Sequence, residues 1–329
     1  MLLHSILVSL ITTLPSVSDD EARTVKELRR DYDKTEEIDG RILILTELAS
    51  LGIEDPKQAK TAWQGVGIGL KDESYSIRRE AIRLLKLCPE REPAVKCLSE
   101  ALDTAVADAG TGLGRGGRGG RGNAGGRGRG GGGGGEGEGG NEAGGGGASA
   151  WAQYREALEE RGAYVEDLLG ALGELPDDRS VRSVSKFHER AEGRIWGRYR
   201  LPAAKALGML GTRGAMDTVH SSLADAMKQA KADKEREEKA KKAGQEEEQG
   251  GRGGRGGREG REGRQGSSAA EQSQQLHDIL SAAAKKLELE DVPVFDDKVD
   301  RSWKKFLSKN RSSYPSKLGK IEPIGKDAR

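Results

Sequence analysis

The chain has 329 residues, 49 of them glycine; one third are charged, yet the formal net charge is only +1. A protein that holds a polyanion with its whole surface is usually clearly basic, so bulk electrostatics does not favour nucleic acid. The length suits two compact domains or one repeat array, and aromatics are few, at 4%.

The chain opens MLLHSILVSLITTLPSVSDDEA. The apolar run from Leu2 to Leu14 has the length of a signal-peptide core and is too short to span a bilayer as a helix. Ser16-Val17-Ser18 places small residues at the −3 and −1 positions of a cleavage site, before a polar Asp19-Asp20-Glu21. No Lys or Arg precedes the run, so an apolar first helix of a cytoplasmic chain is the alternative. The expectation is a signal peptide over residues 1–18 and a periplasmic or secreted chain. No Cys follows the run to carry a lipid, and no later segment is long and apolar enough to cross a membrane.

Residues 19–109 read as helices. Asp55-Pro56 is a helix start, with Asp as cap and Pro in the first turn. Ala59, Ala62, Trp63, Val66 and Leu70 then repeat at three- and four-residue spacing and mark one buried face. Asp72 falls in a turn, Ile77, Ala81, Leu84 and Cys88 line a second helix ended by Pro89, and Glu92-Pro93 opens a third with Val95, Leu98, Leu102 and Ala105 inward. Cys88 and Cys97 can pair in an oxidising compartment, but two small buried side chains are the simpler expectation. Without histidines at ligand spacing they form no zinc site.

Residues 110–149 and 244–268 are rich in glycine and arginine and nearly free of apolar side chains, so they cannot offset the entropy of ordering and are predicted to be disordered. The first tract carries Arg115, Arg118, Arg121, Arg127 and Arg129; the second carries Arg252, Arg255, Arg258, Arg261 and Arg264. Each guanidinium can meet a phosphate or stack on an exposed base, which makes RNA or another polyanion a candidate partner. Against this, neither tract contains an aromatic residue, and Glu136, Glu138, Glu142, Glu259 and Glu262 repel phosphate. The competing reading is a hydrated spacer.

Between the tracts, residues 150–243 again show helical periodicity. Val165, Leu168, Leu169 and Leu172 share a face, as do Ala203, Ala206, Leu207 and Leu210, then Met216, Val219, Leu223 and Met227. Glu235–Lys239, Glu237–Lys241 and Glu238–Lys242 are i,i+4 pairs in the favoured order and predict a solvated helix that Gly244 stops. In the last block, residues 269–329, Trp303, Phe306 and Leu307 share one face, with Lys304, Lys305, Lys309 and Arg311 on the other side. A basic contact surface is the sharper reading of those cations. Val292-Pro293-Val294-Phe295 is too short and too proline-broken for a strand.

Several of these segments resemble a known family. LKDESYSIRREAIRLL, residues 70–85, resembles a HEAT repeat, which sets an Asp between its two helices and, five and six residues later, a β-branched residue and a cation: here Asp72, Ile77 and Arg78, followed by Ala81 and Leu84. RLPAAKALGMLGTRGAMDTVHSSL, residues 200–223, is similar to the short bacterial form with its AAxALGxLG helix. LLGALGELPDDRSVRSV, residues 168–184, is a poorer match, because Val181-Arg182 follow Asp178 too closely. The end, DRSWKKFLSKNRSSYPSKLGK, is similar to the tail that closes some exported bacterial HEAT-repeat proteins. The resemblance implies an all-α chain: a short solenoid of antiparallel helix pairs that bury each other's apolar faces, interrupted by the two Gly/Arg-rich insertions. It also implies a ladder between neighbouring repeats through Asp72 and Arg78, and a C-terminal cap of Trp303, Phe306 and Leu307.

Enzyme chemistry finds little support. His4, His188, His220 and His277 form no i,i+4 pair and are expected on helix flanks. The Gly-x-Gly-x-x-Gly spacings in the tracts follow no strand. Ser302-Trp303-Lys304-Lys305 satisfies Ser-x-x-Lys without its companion motifs. Asp177-Asp178, Asp296-Asp297 and Asp300 suit helix caps better than a cation site. The expected function is non-catalytic binding or scaffolding of another protein outside the cytoplasm, with no cofactor. The alternatives are RNA or polyanion binding through the tracts, and an enzyme whose site the sequence does not reveal.

Overall fold

The computed structural model describes residues 23–112, 146–191, 197–249 and 268–318; every secondary-structure element among them is a helix, and none is a strand. The expected leader, residues 1–18, and all ten tract arginines lie outside the described residues. The α-helices are α1 (Val25–Lys34), α2 (Ile38–Glu54), α3 (Ala59–Val66), α4 (Tyr75–Leu85), α5 (Glu92–Gly112), α6 (Gly146–Glu174), α7 (Asp178–Arg190), α8 (Arg200–Leu210), α9 (Arg213–Gln249), α10 (Ala269–Lys286) and α11 (Val299–Lys309). Short 3-10 segments, Gly67–Lys71 and Gly197–Tyr199, extend α3 and precede α8.

Local chemistry sets the helix ends. Thr24 and Glu27 form a capping box at α1: each side chain takes the other's backbone N–H. Ser268 and Glu271 do the same at α10. Asp177 caps α7 by accepting from the Arg179 N–H at 2.7 Å, and Asp296 accepts from the Lys298 N–H at 2.9 Å just before α11. Gly211 ends α8 with a left-handed φ of 62°, a conformation that strains any residue with a Cβ. The chain then reverses within two residues to start α9.

Packing follows the order of the chain. Each odd helix touches the next odd helix, from α1 through α11, and each even helix touches the next even one, from α2 through α10. Odd helices also pack on their even neighbours, as α1 does on α2, α5 on α6 and α9 on α10. Every helix contributes to one continuous apolar cluster. Val165, Leu168, Leu169 and Leu172 are fully buried on α6; each such leucine is worth about 1.5–3 kcal/mol. The expected inward faces of α3, α4, α5 and α8 are all buried, and so is that of α9 except Met227, which is partly exposed. Gly173 lets α6 approach α8: a Cβ there would lie 2.9 Å from the Ala206 Cα.

Four boundaries differ from the sequence reading. Asp55 does not open a helix, because its own N–H still closes α2 on the Leu51 carbonyl at 3.0 Å. The chain must turn before it can run back, so Asp55 instead caps the turn, accepting from the Lys57 N–H at 2.8 Å and from the Gln58 amide at 2.9 Å, and α3 starts at Ala59. The second helix ends at Leu85, before Pro89, and tightens into i→i+3 bonds. Gly244 does not stop α9, which continues to Gln249; one glycine costs about 1 kcal/mol, which the surrounding Ala, Lys, Gln and Glu tolerate. Helix also reaches into the first tract from both sides, to Gly112 and from Gly146.

Candidate functional site

Asp72 is the centre of the best-defined polar cluster. It follows the 3-10 segment after α3, and its side chain is 3% exposed. Its carboxylate accepts from the Tyr32 hydroxyl at 2.6 Å, the Arg41 guanidinium at 2.7 Å and the Ser74 N–H at 2.9 Å. Burial alone pushes this carboxyl up, but the three donors outweigh it and hold Asp72 below its usual range. Tyr32 is held neutral: burial and the neighbouring carboxylate both raise its hydroxyl. Arg41 also donates to the Thr35 carbonyl at 2.6 Å and lies 5.4 Å from the Tyr32 ring centre. The turn before α4 is thereby tied to the preceding pair, α1 and α2.

Arg78 lies on the other side of the same turn. It does not bind the Asp72 carboxylate, which Arg41 already occupies; it donates to the Asp72 and Glu73 carbonyls at 2.8 and 3.0 Å. Its guanidinium lies 4.9 Å from the ring centre of Tyr164, on α6. The Tyr164 hydroxyl in turn donates to the Leu70 carbonyl at 2.7 Å. Asp72 therefore faces backwards along the chain and Arg78 forwards.

Beside this cluster, α4 and α6 border a groove of about 600 Å³. Arg79, Glu80 and Arg83 line it from α4, with Arg83 paired to Glu80, Lys86 from just past the helix end, and Glu166, Asp167 and Glu174 from α6. Cross-links hold the two walls: Lys86 pairs with Glu174, Arg79 stands 4.0 Å from Asp167, and the Tyr75 hydroxyl donates to Asp167 at 2.8 Å. Burial, then the Asp167 carboxylate, pushes Tyr75 up to about 12. At the floor a Cβ on Gly170 would meet nothing within 4 Å.

The aromatic end also forms. Trp303 is fully buried and Phe306 and Leu307 nearly so, packed through α11 onto α9. Trp303 meets Phe306 and His277 edge-on, with ring centres 5.1 and 5.9 Å apart. Lys304, Lys305, Lys309 and Arg311 are exposed.

Two histidines expected on helix flanks are buried instead, His188 at 3% and His277 at 8% exposure. Ser222 lies 3.0 Å from His188, the nearest approach to a nucleophile–base pair. The hydroxyl, however, donates to the Thr218 carbonyl at 3.2 Å, so it accepts from the imidazole rather than giving it a proton. Burial, then the charge of Arg200, lowers His188 to about 4, too weak a base at neutral pH. His277 sets a ring nitrogen 2.9 Å from the Pro293 carbonyl. Among the described residues no three His, Cys, Asp or Glu side chains converge on a metal position. Cys88 and Cys97 are free thiols, and burial pushes Cys88 up to about 11. No described helix is long and apolar enough to cross a membrane.

Sequence reasoning found Asp72 and Arg78 but missed Tyr32, Arg41 and Tyr164, whose partners lie 40, 31 and 94 residues away. No family model and no curated protein matches the chain.

Proposed function

We propose that the chain is a short HEAT-type α-solenoid that acts as a non-catalytic scaffold, binding another protein outside the cytoplasm. The observation that carries this reading is the order of contacts: odd packs on next odd and even on next even along the whole described chain. Such stacking builds an elongated body whose two faces offer extended surface for a partner. The groove between α4 and α6 is the favoured contact, because its charged walls and open floor suit a polar protein segment. The leader-like residues 1–18 support export.

A photo-crosslinking residue at Gly170 tests this directly, since the position has room for it. The full chain, expressed with its N-terminus intact, is expected to start at Asp19 after export and to yield a discrete protein adduct that resists nuclease. The adduct should weaken when Arg83 and Glu174 exchange charge (R83E with E174R). Adducts with nucleic acid alone, lost when the ten tract arginines become serine, would replace the scaffold with a polyanion binder.

A further inference from the structure

A second depression, of about 210 Å³, lies where the start of α9 meets α11 and the segment after it. Its cations are Arg213, Lys304 and Arg311, facing one carboxylate, Asp217. None of the three cations has an acidic partner within ion-pair distance among the described residues. This sets them apart from the α4–α6 groove, where opposite charges face each other. Tyr314 also lines the depression. It is 3% exposed, and its hydroxyl is buried without a hydrogen-bond partner among the described residues. A buried hydroxyl left without a partner costs about 1–3 kcal/mol.

The frame is rigid. The Arg213 N–H donates to the Pro315 carbonyl at 3.1 Å, fixing the tail against the start of α9. His220, also in the wall, has Nε2 2.9 Å from the Asp300 carbonyl, so Nε2 carries the proton and donates. The positive end of the α9 dipole adds to the same field.

From this geometry we infer that the depression between α9 and α11 binds a doubly charged tetrahedral oxyanion, phosphate or sulfate, free or as the terminal group of a larger molecule. Two guanidinium forks and one ammonium match such an anion's several acceptors. A cation is disfavoured by three positive groups against one carboxylate, and an apolar ligand by the charged rim. None of the lining residues belongs to the arginine–glycine tracts.

Calorimetric titration of the full chain, with the ten tract arginines changed to serine, separates this site from any binding by the tracts. Inorganic phosphate, sulfate, phosphoserine and acetate are the probes. We expect saturable binding of the dianions at millimolar concentration or below, weak or no binding of acetate, and a loss of about tenfold or more for Arg213→Gln or Arg311→Gln. Lys304→Gln, at an exposed position, should weaken binding without altering the helical signal. Tighter phosphoserine than phosphate would identify a terminal group as the ligand; the reverse would identify the free anion. Arg83→Gln, in the other groove, should change nothing. No saturable binding of phosphate, sulfate or phosphoserine, or binding indifferent to the Arg213, Lys304 and Arg311 changes, would overturn the assignment.

Discussion

Asp72 keeps a charge where little water reaches, and it does so because Tyr32, Arg41 and Ser74 each give it a proton to lean on. Its lowered pKa fixes the sign of a pH effect. The stability it contributes is complete above the ordinary value of 3.8 and drains away as pH falls through the lower folded value. Asp72→Asn should cost about 1.5–3 kcal/mol at neutral pH, because hydrogen bonds to charge are the strong ones. The gap from the parent should close in strong acid, as urea melts across the acid range would show. His188 acts in a different window. Its pKa falls from 6.5 to about 4, so between those values the unfolded chain takes up a proton that the folded chain refuses. Stability should therefore drop as pH falls from 6.5 to 4, by on the order of 3 kcal/mol, and flatten below. His188→Gln should remove that slope. Of this chemistry only the Asp72 turn is legible in sequence; the depth of His188 is not, since a histidine at helical spacing reads the same on a flank or inside.

At the scale of the helix, Gly170 and Gly173 of α6 have opposite consequences. Gly170 sits over open space, and Gly170→Ala should stabilise the chain by about 0.5–1 kcal/mol through helix propensity. Gly173 lies against the Ala206 backbone, and Gly173→Ala should cost about 1–3 kcal/mol by forcing α6 and α8 apart. Thermal melts of the two variants should move in opposite directions. The apolar faces of α3 to α6 were readable because period 3.6 survives in the sequence whatever the helix packs against. Helix ends were less so. Asp55 serves the helix behind it, a choice made by direction reversal rather than by residue type. At Gly244, the neighbours outweigh a single weak helix former.

For the molecule as a whole, contacts between near neighbours in the chain mean that damage should stay local. Trp303→Ala removes a fully buried indole and should cost about 3–5 kcal/mol. Hydrogen exchange should rise in α9, α10 and α11 while α1 to α3 keep their protection, as expected where each unit leans only on the next. Uniform loss of protection would show a single cooperative core instead. The pairing of odd with odd and even with even was not legible residue by residue, because it depends on which faces meet after folding. The repeat-like spacing of residues 70–85 and 200–223 was the nearest signal.

Residues 113–145 join α5 to α6, and residues 250–267 join α9 to α10. Both links run from an odd helix to the even helix packed on it, as the three-residue link between α1 and α2 also does. A cargo sequence exchanged for either link is therefore expected to leave the neighbours of every described helix unchanged, which hydrogen exchange across α5, α6, α9 and α10 would check.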